Sequence, residues 1–101
     1  MADFDQAIKI NPNHPLAYVN RGNTYSGLGD KKGAIADYNK AIKINPNDAN
    51  AYYNRGNAHY KLGDKKGAIQ DFKQAANLYQ QQGKQSYYQD ALNSIKILQE
   101  N

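Results

Sequence analysis

The chain has 101 residues, no cysteine and a formal charge of +4, from 13 lysines and arginines against 9 aspartates and glutamates. That length suits one domain, and the missing cysteines exclude disulfides, thiolate metal sites and a cysteine nucleophile. With nine tyrosines, a hydrophobic fraction of 40% and a mean hydropathy of −0.95, the core is expected to be thin and built from alanine and tyrosine rather than leucine.

The chain opens on "MADFDQAIKI", which lacks the charged segment and apolar stretch of a signal peptide. No apolar run approaches the roughly 18 residues that cross a bilayer. The expectation is a soluble, cytoplasmic protein with no membrane partner. The opening residues read as a short helix carrying Phe4, Ala7 and Ile8, closed by Asn11-Pro12. A second helix is predicted from about Pro15 to Leu28, with Tyr18, Gly22, Tyr25 and Leu28 on one stripe. Proline is tolerated in a first helical turn, and Gly29 stands where helices commonly end. Asp30 can cap a third helix whose stripe is Ala34, Ile35, Tyr38, Ala41 and Ile42. Asn45-Pro46 ends it, because proline disfavours helical geometry in the residue before it.

The pattern then starts again. "AYVNRGNTY" from Ala17 returns as "AYYNRGNAH" from Ala51, and "ADFDQAIKINPN" from Ala2 returns as "ADYNKAIKINPN" from Ala36. The step is 34 residues throughout, which marks an internal repeat. In the second copy Asp64 is the expected cap, with Ala68, Phe72 and Ala75 on the stripe. Gln80 replaces the proline, so this helix is predicted to continue to about Gln82. A last helix from about Lys84 to Gln99 carries Tyr88, Ala91, Leu92, Ile95 and Leu98 on one face. Its other side is polar (Gln85, Gln89, Asn93, Lys96), as suits a cap that seals a stack against water.

These positions resemble the tetratricopeptide repeat (TPR), a 34-residue helix–turn–helix unit. Tyr18, Gly22, Tyr25, Ala34, Tyr38, Ala41 and Pro46 fill its marked places in order, and Tyr52, Gly56, His59, Ala68, Phe72 and Ala75 fill them again. The family usually has leucine where this chain has Arg21 and Arg55, and tyrosine where it has His59. The resemblance implies an all-α fold, an antiparallel helix-pair solenoid. The expected division is a leading half repeat over 1–13, full repeats over 14–47 and 48–82, and a capping helix over 83–101. A single helix pair cannot bury its own stripe, so neighbouring units must stack.

The resemblance also implies function. In the family, first helices line a concave surface on which extended or helical peptides lie. Transferred to this chain, the inward places are Leu16, Val19, Asn20, Asn23 and Gly27, then Asn50, Tyr53, Asn54, Asn57 and Lys61. Asn20, Asn23, Asn54 and Asn57 would form a ladder of amides, each able to donate to and accept from a peptide backbone. The plain alternative is that they are merely polar and exposed, yet asparagine is a weak helix former. Some family members clamp a terminal carboxylate with lysine, but Val19 and Tyr53 stand at the clamp places here, leaving Lys61 to attract an acidic ligand. Arg21 and Arg55 admit two readings: recognition of acids at the groove edge, or, the favoured one, bonding between neighbouring helices.

No catalytic constellation is present, no cofactor is implied, and the protein is not expected to be an enzyme. "GLGDKKG" follows no strand and misses the dinucleotide-binding spacing, so it reads as a helix–helix turn. His14 and His59 have no partner at metal-ligand spacing. The lysines are dispersed, and both doublets, Lys31-Lys32 and Lys65-Lys66, follow Gly-Asp turns, which argues against a nucleic-acid patch. The related RNA-binding helical-pair repeats run 35 residues, not 34. The leading expectation is therefore a non-catalytic module that binds a protein or peptide partner. The alternative is self-association into a homo-oligomer through Phe4, Ala7 and Ile8, whose covering helix is missing from the pattern, unless the chain is a piece of a longer array or an engineered sequence.

Overall fold

The structure, a computed structural model, describes the backbone of residues 2–100 and the side chains of residues 5–100. It consists there of six helices: α1 (Ala2–Ile10), α2 (Pro15–Gly27), α3 (Lys31–Ile44), α4 (Ala49–Lys61), α5 (Lys65–Gln81) and α6 (Gln85–Glu100). None is long and apolar enough to cross a membrane.

Local chemistry sets the boundaries. Asp30, Asp48 and Asp64 each accept a hydrogen bond from the amide three residues on, at 2.9, 3.2 and 2.8 Å. These caps satisfy amides that the first helical turn leaves without partners. At α2 the same place holds His14, whose Nδ1 accepts from the Ala17 amide at 3.2 Å. The helices α2 and α4 end on Gly29 and Gly63, at φ 89° and 86°, a left-handed geometry that side-chain-bearing residues rarely adopt. Behind them, Asp30 and Asp64 send their amides back to the Tyr25 and His59 carbonyls at 2.8 Å. The two "NPN" loops also fold alike. Asn11 and Asn45 each accept, through Oδ1, the amide two residues on at 3.1 Å.

Each helix packs on the next, from α1 through α6. Alanines do the close work: Ala34, Ala41, Ala51, Ala68, Ala75 and Ala91 are wholly enclosed. Between them lie Tyr18, Tyr38, Phe72 and Tyr79, all buried. An aromatic ring removes roughly 150–250 Å² from water, so a few per unit supply most of this core.

The end of α5 breaks the repeat. With Gln80 in place of proline the helix runs on to Gln81, and its end buries Leu78 and, in the extension, Tyr79 beside Ala49, Ala76 and Ala91. The last helix, α6, packs on α5 and buries Ala91, Ile95 and Leu98. The extension of α5 is what shapes the face described next.

Candidate functional site

The arginines are bound within the fold. Arg21 donates from Nε and Nη2 to the two oxygens of Asp37, both at 2.8 Å, and from Nη1 to Asp5 at 3.0 Å. Arg55 repeats this with Asp71 at 3.0 and 2.7 Å, and its Nη1 reaches Asn39 Oδ1 at 2.8 Å. Both aspartates are buried, and each guanidinium lies within 6 Å of tyrosine rings on its own helix. Asp37 pushes the Arg21 pKa further above its ordinary value, the guanidinium being favoured in its charged form. Each arginine thus joins three consecutive helices. The bonding reading holds, and the leucine these arginines replace would have packed without that tie.

The asparagines divide into two kinds. Tyr38 donates its hydroxyl to Asn23 Oδ1, and Tyr79 donates to Asn50 Oδ1, both at 2.5 Å. These two amides position buried tyrosines. Burial, with Asp37 nearby, pushes the Tyr38 hydroxyl up to about 12. Tyr79 is pushed up to about 12 by burial, then by Tyr53, Tyr87, Asp48 and Asp90. Asn57 occupies the place of Asn23, but its counterpart across the helix pair is Phe72, which has no hydroxyl. Asn57 is exposed, and Asn20 and Asn54 are half-buried. Among the described residues, none of these three side chains is taken by an internal hydrogen bond. Of the remaining inward places, Val19 is buried in the core, whereas Leu16, Gly27 and Lys61 are exposed.

Two hollows lie between α4 and α6. One, about 250 Å³, is lined by Asn50, Tyr53, Asn54, Tyr79, Tyr87 and Asp90. The other, about 180 Å³, is lined by Asn57, Tyr60, Phe72, Ser94, Ile97 and Leu98. Asn50, Tyr53, Asn54 and Asn57 are therefore brought onto one face, while Asn20 and Asn23 sit on α2 beyond both hollows and Lys61 lines neither. Tyr53 is partly structural: its ring lies 5.2 Å from Phe72, and its hydroxyl is 3.4 Å from Ser94 Oγ. Sequence reasoning missed Tyr79, Tyr87, Asp90 and Ser94. Tyr87 stands one 34-residue step beyond Tyr53, a signal that was available. Asp90 had none, because α6 leaves the repeat.

For self-association, Ala7 and Ile8 are half-buried, and Ile8 packs against the cluster of Tyr18 and Tyr38. The Phe4 side chain lies outside the described residues. His59, with Nε2 3.6 Å from Asp71 and Nδ1 3.3 Å from Asp64, sits among carboxylates of its own repeat.

Profiles described as tetratricopeptide repeat match residues 4–36 and 49–82, and one described as TPR repeat matches 28–63. The chain belongs to the tetratricopeptide-repeat family. It finds no significant match among curated protein sequences. Among solved TPR structures, it superposes on the TPR2B domain of yeast Sti1, in a complex with pHsp70, with a TM-score of 0.90 at 24% identity, over 96% of this chain and 78% of that one. The first TPR of Spaghetti (RPAP3), bound to the HSP90 peptide SRMEEVD, gives 0.85 at 23% identity, over 96% and 72%. PcrH, in complex with the chaperone binding region of PopD, gives 0.91 at 18% identity, over 95% and 73%. At these identities the likeness establishes the TPR fold, six helices of it.

Proposed function

We propose that this TPR chain is a non-catalytic protein-interaction module that binds a peptide segment along the concave face formed by α2 and α4 and closed by α6. The observation that carries the reading is the pair of adjoining hollows between α4 and α6, which gather Asn50, Tyr53, Asn54 and Asn57. The smaller, bounded by Phe72, Ile97 and Leu98, suits one apolar side chain of a partner. The unpaired amides of Asn54 and Asn57 lie alongside, where they can satisfy a peptide backbone. Solved TPR relatives that carry bound segments on the same fold support the reading by analogy.

A panel of extended and helical peptides, titrated against wild type and Asn54→Ala/Asn57→Ala, tests the proposal. Weaker binding by the variant is expected; equal binding by both sinks the assigned face. Self-association is a second reading, favoured by α1, which packs on α2 and leaves Ile10 exposed. A sedimentation series on wild type and Ile10→Asp decides it, and a wild type that stays monomeric at every concentration removes it.

A further inference from the structure

The larger hollow has a chemistry of its own. Tyr87, 55% exposed, stacks on the buried Tyr79 with ring centroids 5.3 Å apart and planes 24° from parallel. Tyr53 forms another wall, 6.4 Å from Tyr79 and tilted by 60°. Asp90 stands three residues after Tyr87 on α6, so ring and carboxylate share one helix face. Among the described residues the Asp90 carboxylate makes no ion pair and no hydrogen bond, and the Asn54 amide is likewise free. Asp90 lines this hollow, and Asp48 and Asp90 both raise the pKa of the Tyr79 hydroxyl that borders it. The chain as a whole is positive.

Three occupants can be compared. An acidic group would meet the repulsion of Asp90 and the negative faces of the tyrosine rings. A neutral apolar side chain would strip water from Asp90 and Asn54 and return no hydrogen bond, which is costly for a buried polar group. A primary ammonium or guanidinium suits the lining as a whole: charge to Asp90, the tyrosine rings of Tyr53 and Tyr87 alongside, and a carbonyl acceptor from Asn54. The hollow, about 250 Å³, has room for such a side chain.

We propose that this cleft binds the cationic side chain, lysine or arginine, of a peptide lying on the α4–α6 face. The proposal rests on the peptide-binding reading above and specifies the charge of the ligand. It sets this chain apart from carboxylate recognition, for which Val19 and Tyr53 offer no cation.

The test is a calorimetric and ¹⁵N-NMR titration of the full chain with the capped peptide Ala-Ser-Ala-Lys-Ala-Ser-Ala. Two comparison ligands are the same peptide with norleucine for lysine, and free spermidine. The lysine peptide is expected to bind and to shift the amides of Asn54, Tyr87 and Asp90. Norleucine, Asp90→Asn and Tyr87→Leu should each weaken binding, by about two- to fivefold, the scale of a cation on solvent-exposed aromatic rings. Asp90 is exposed and without internal partners, so Asp90→Asn should keep the wild-type circular dichroism. Equal affinity for the lysine and norleucine peptides, or an Asp90→Asn variant that binds lysine as wild type does, overturns the cation site. So does failure of the lysine peptide to bind at millimolar concentration. Spermidine binding here as tightly as the peptide overturns the peptide source. None of these results touches the Asn54→Ala/Asn57→Ala comparison, on which the broader reading stands or falls.

Discussion

Arg55 holds Asp71 with two parallel hydrogen bonds, from Nε at 3.0 Å and Nη2 at 2.7 Å, and the pair reproduces Arg21–Asp37 one repeat earlier. The first partner is on a first-type helix and the second on the following second-type helix. A third group, Asp5 or Asn39, comes from the helix before. The repeat is thus latched across both of its interfaces by one side chain.

Removing the arginine leaves a buried carboxylate without its counter-ion. Arg55→Met should destabilise the fold by roughly 2–3 kcal/mol, below the full cost of breaking a buried pair because the arginine side chain keeps 22% of its exposure. Urea denaturation measures it. Arg55→Met/Asp71→Leu should recover most of the loss, since it removes the stranded charge. Arg55→Lys should not, because an ammonium cannot reproduce the two-pronged contact.

Helix propensity and packing make opposite forecasts at Gly22 in α2, whereas at Gly27 packing raises no objection. A Cβ on Gly22 would stand 2.7 Å from Tyr38 Cε1 and 3.2 Å from the Ala34 carbonyl oxygen. Overpacking of that kind costs about 1–3 kcal/mol, which outweighs the ~1 kcal/mol that alanine gains in a helix. Gly22→Ala should therefore lower the melting temperature. Gly27→Ala, where nothing lies within 4 Å, should raise it. Thermal unfolding of both variants beside wild type separates the two effects.

His14 caps α2 in the place where Asp48 caps α4. A carboxylate accepts the same amide and also favours the positive end of the helix. His14→Asp should stabilise the protein by about 0.5–1 kcal/mol, read as a shift in the urea midpoint. A lower midpoint would show that the imidazole contributes packing that aspartate cannot replace.

Alkali should unfold the protein through two buried tyrosines. Tyr38 and Tyr79 are both pushed up to about 12, so the folded state holds each proton more tightly than the unfolded chain, near 10, does. Their contribution is complete below about pH 10 and is lost as pH rises towards 12. Ionisation also removes the hydroxyl that donates to Asn23 or Asn50. Tyr38→Phe should lessen the slope of stability against pH in that window while leaving it unchanged at pH 7–9. An unaltered slope would place the alkaline transition elsewhere.

Much of this molecule follows from residues acting locally. The 34-residue step, the aspartates at 30, 48 and 64, and the glycines at 29 and 63 define helices whose boundaries depend only on neighbouring backbone. The alternation of alanine with tyrosine then leaves one stripe to bury, and stacking is its one outlet. Tertiary structure decided which polar groups stay free. Asn23 and Asn57 occupy the same place in successive repeats, yet the first is taken by Tyr38 and the second faces Phe72. That difference arises across the helix pair, 15 residues away, where helical periodicity carries no information. The cleft of Tyr79, Tyr87 and Asp90 is less legible still, because α5 runs beyond the repeat and brings Tyr79 against residues of α4 and α6. Sequence dictated the units, since their hydrogen bonds are local. The face they offer a partner depended on how side chains from three helices meet.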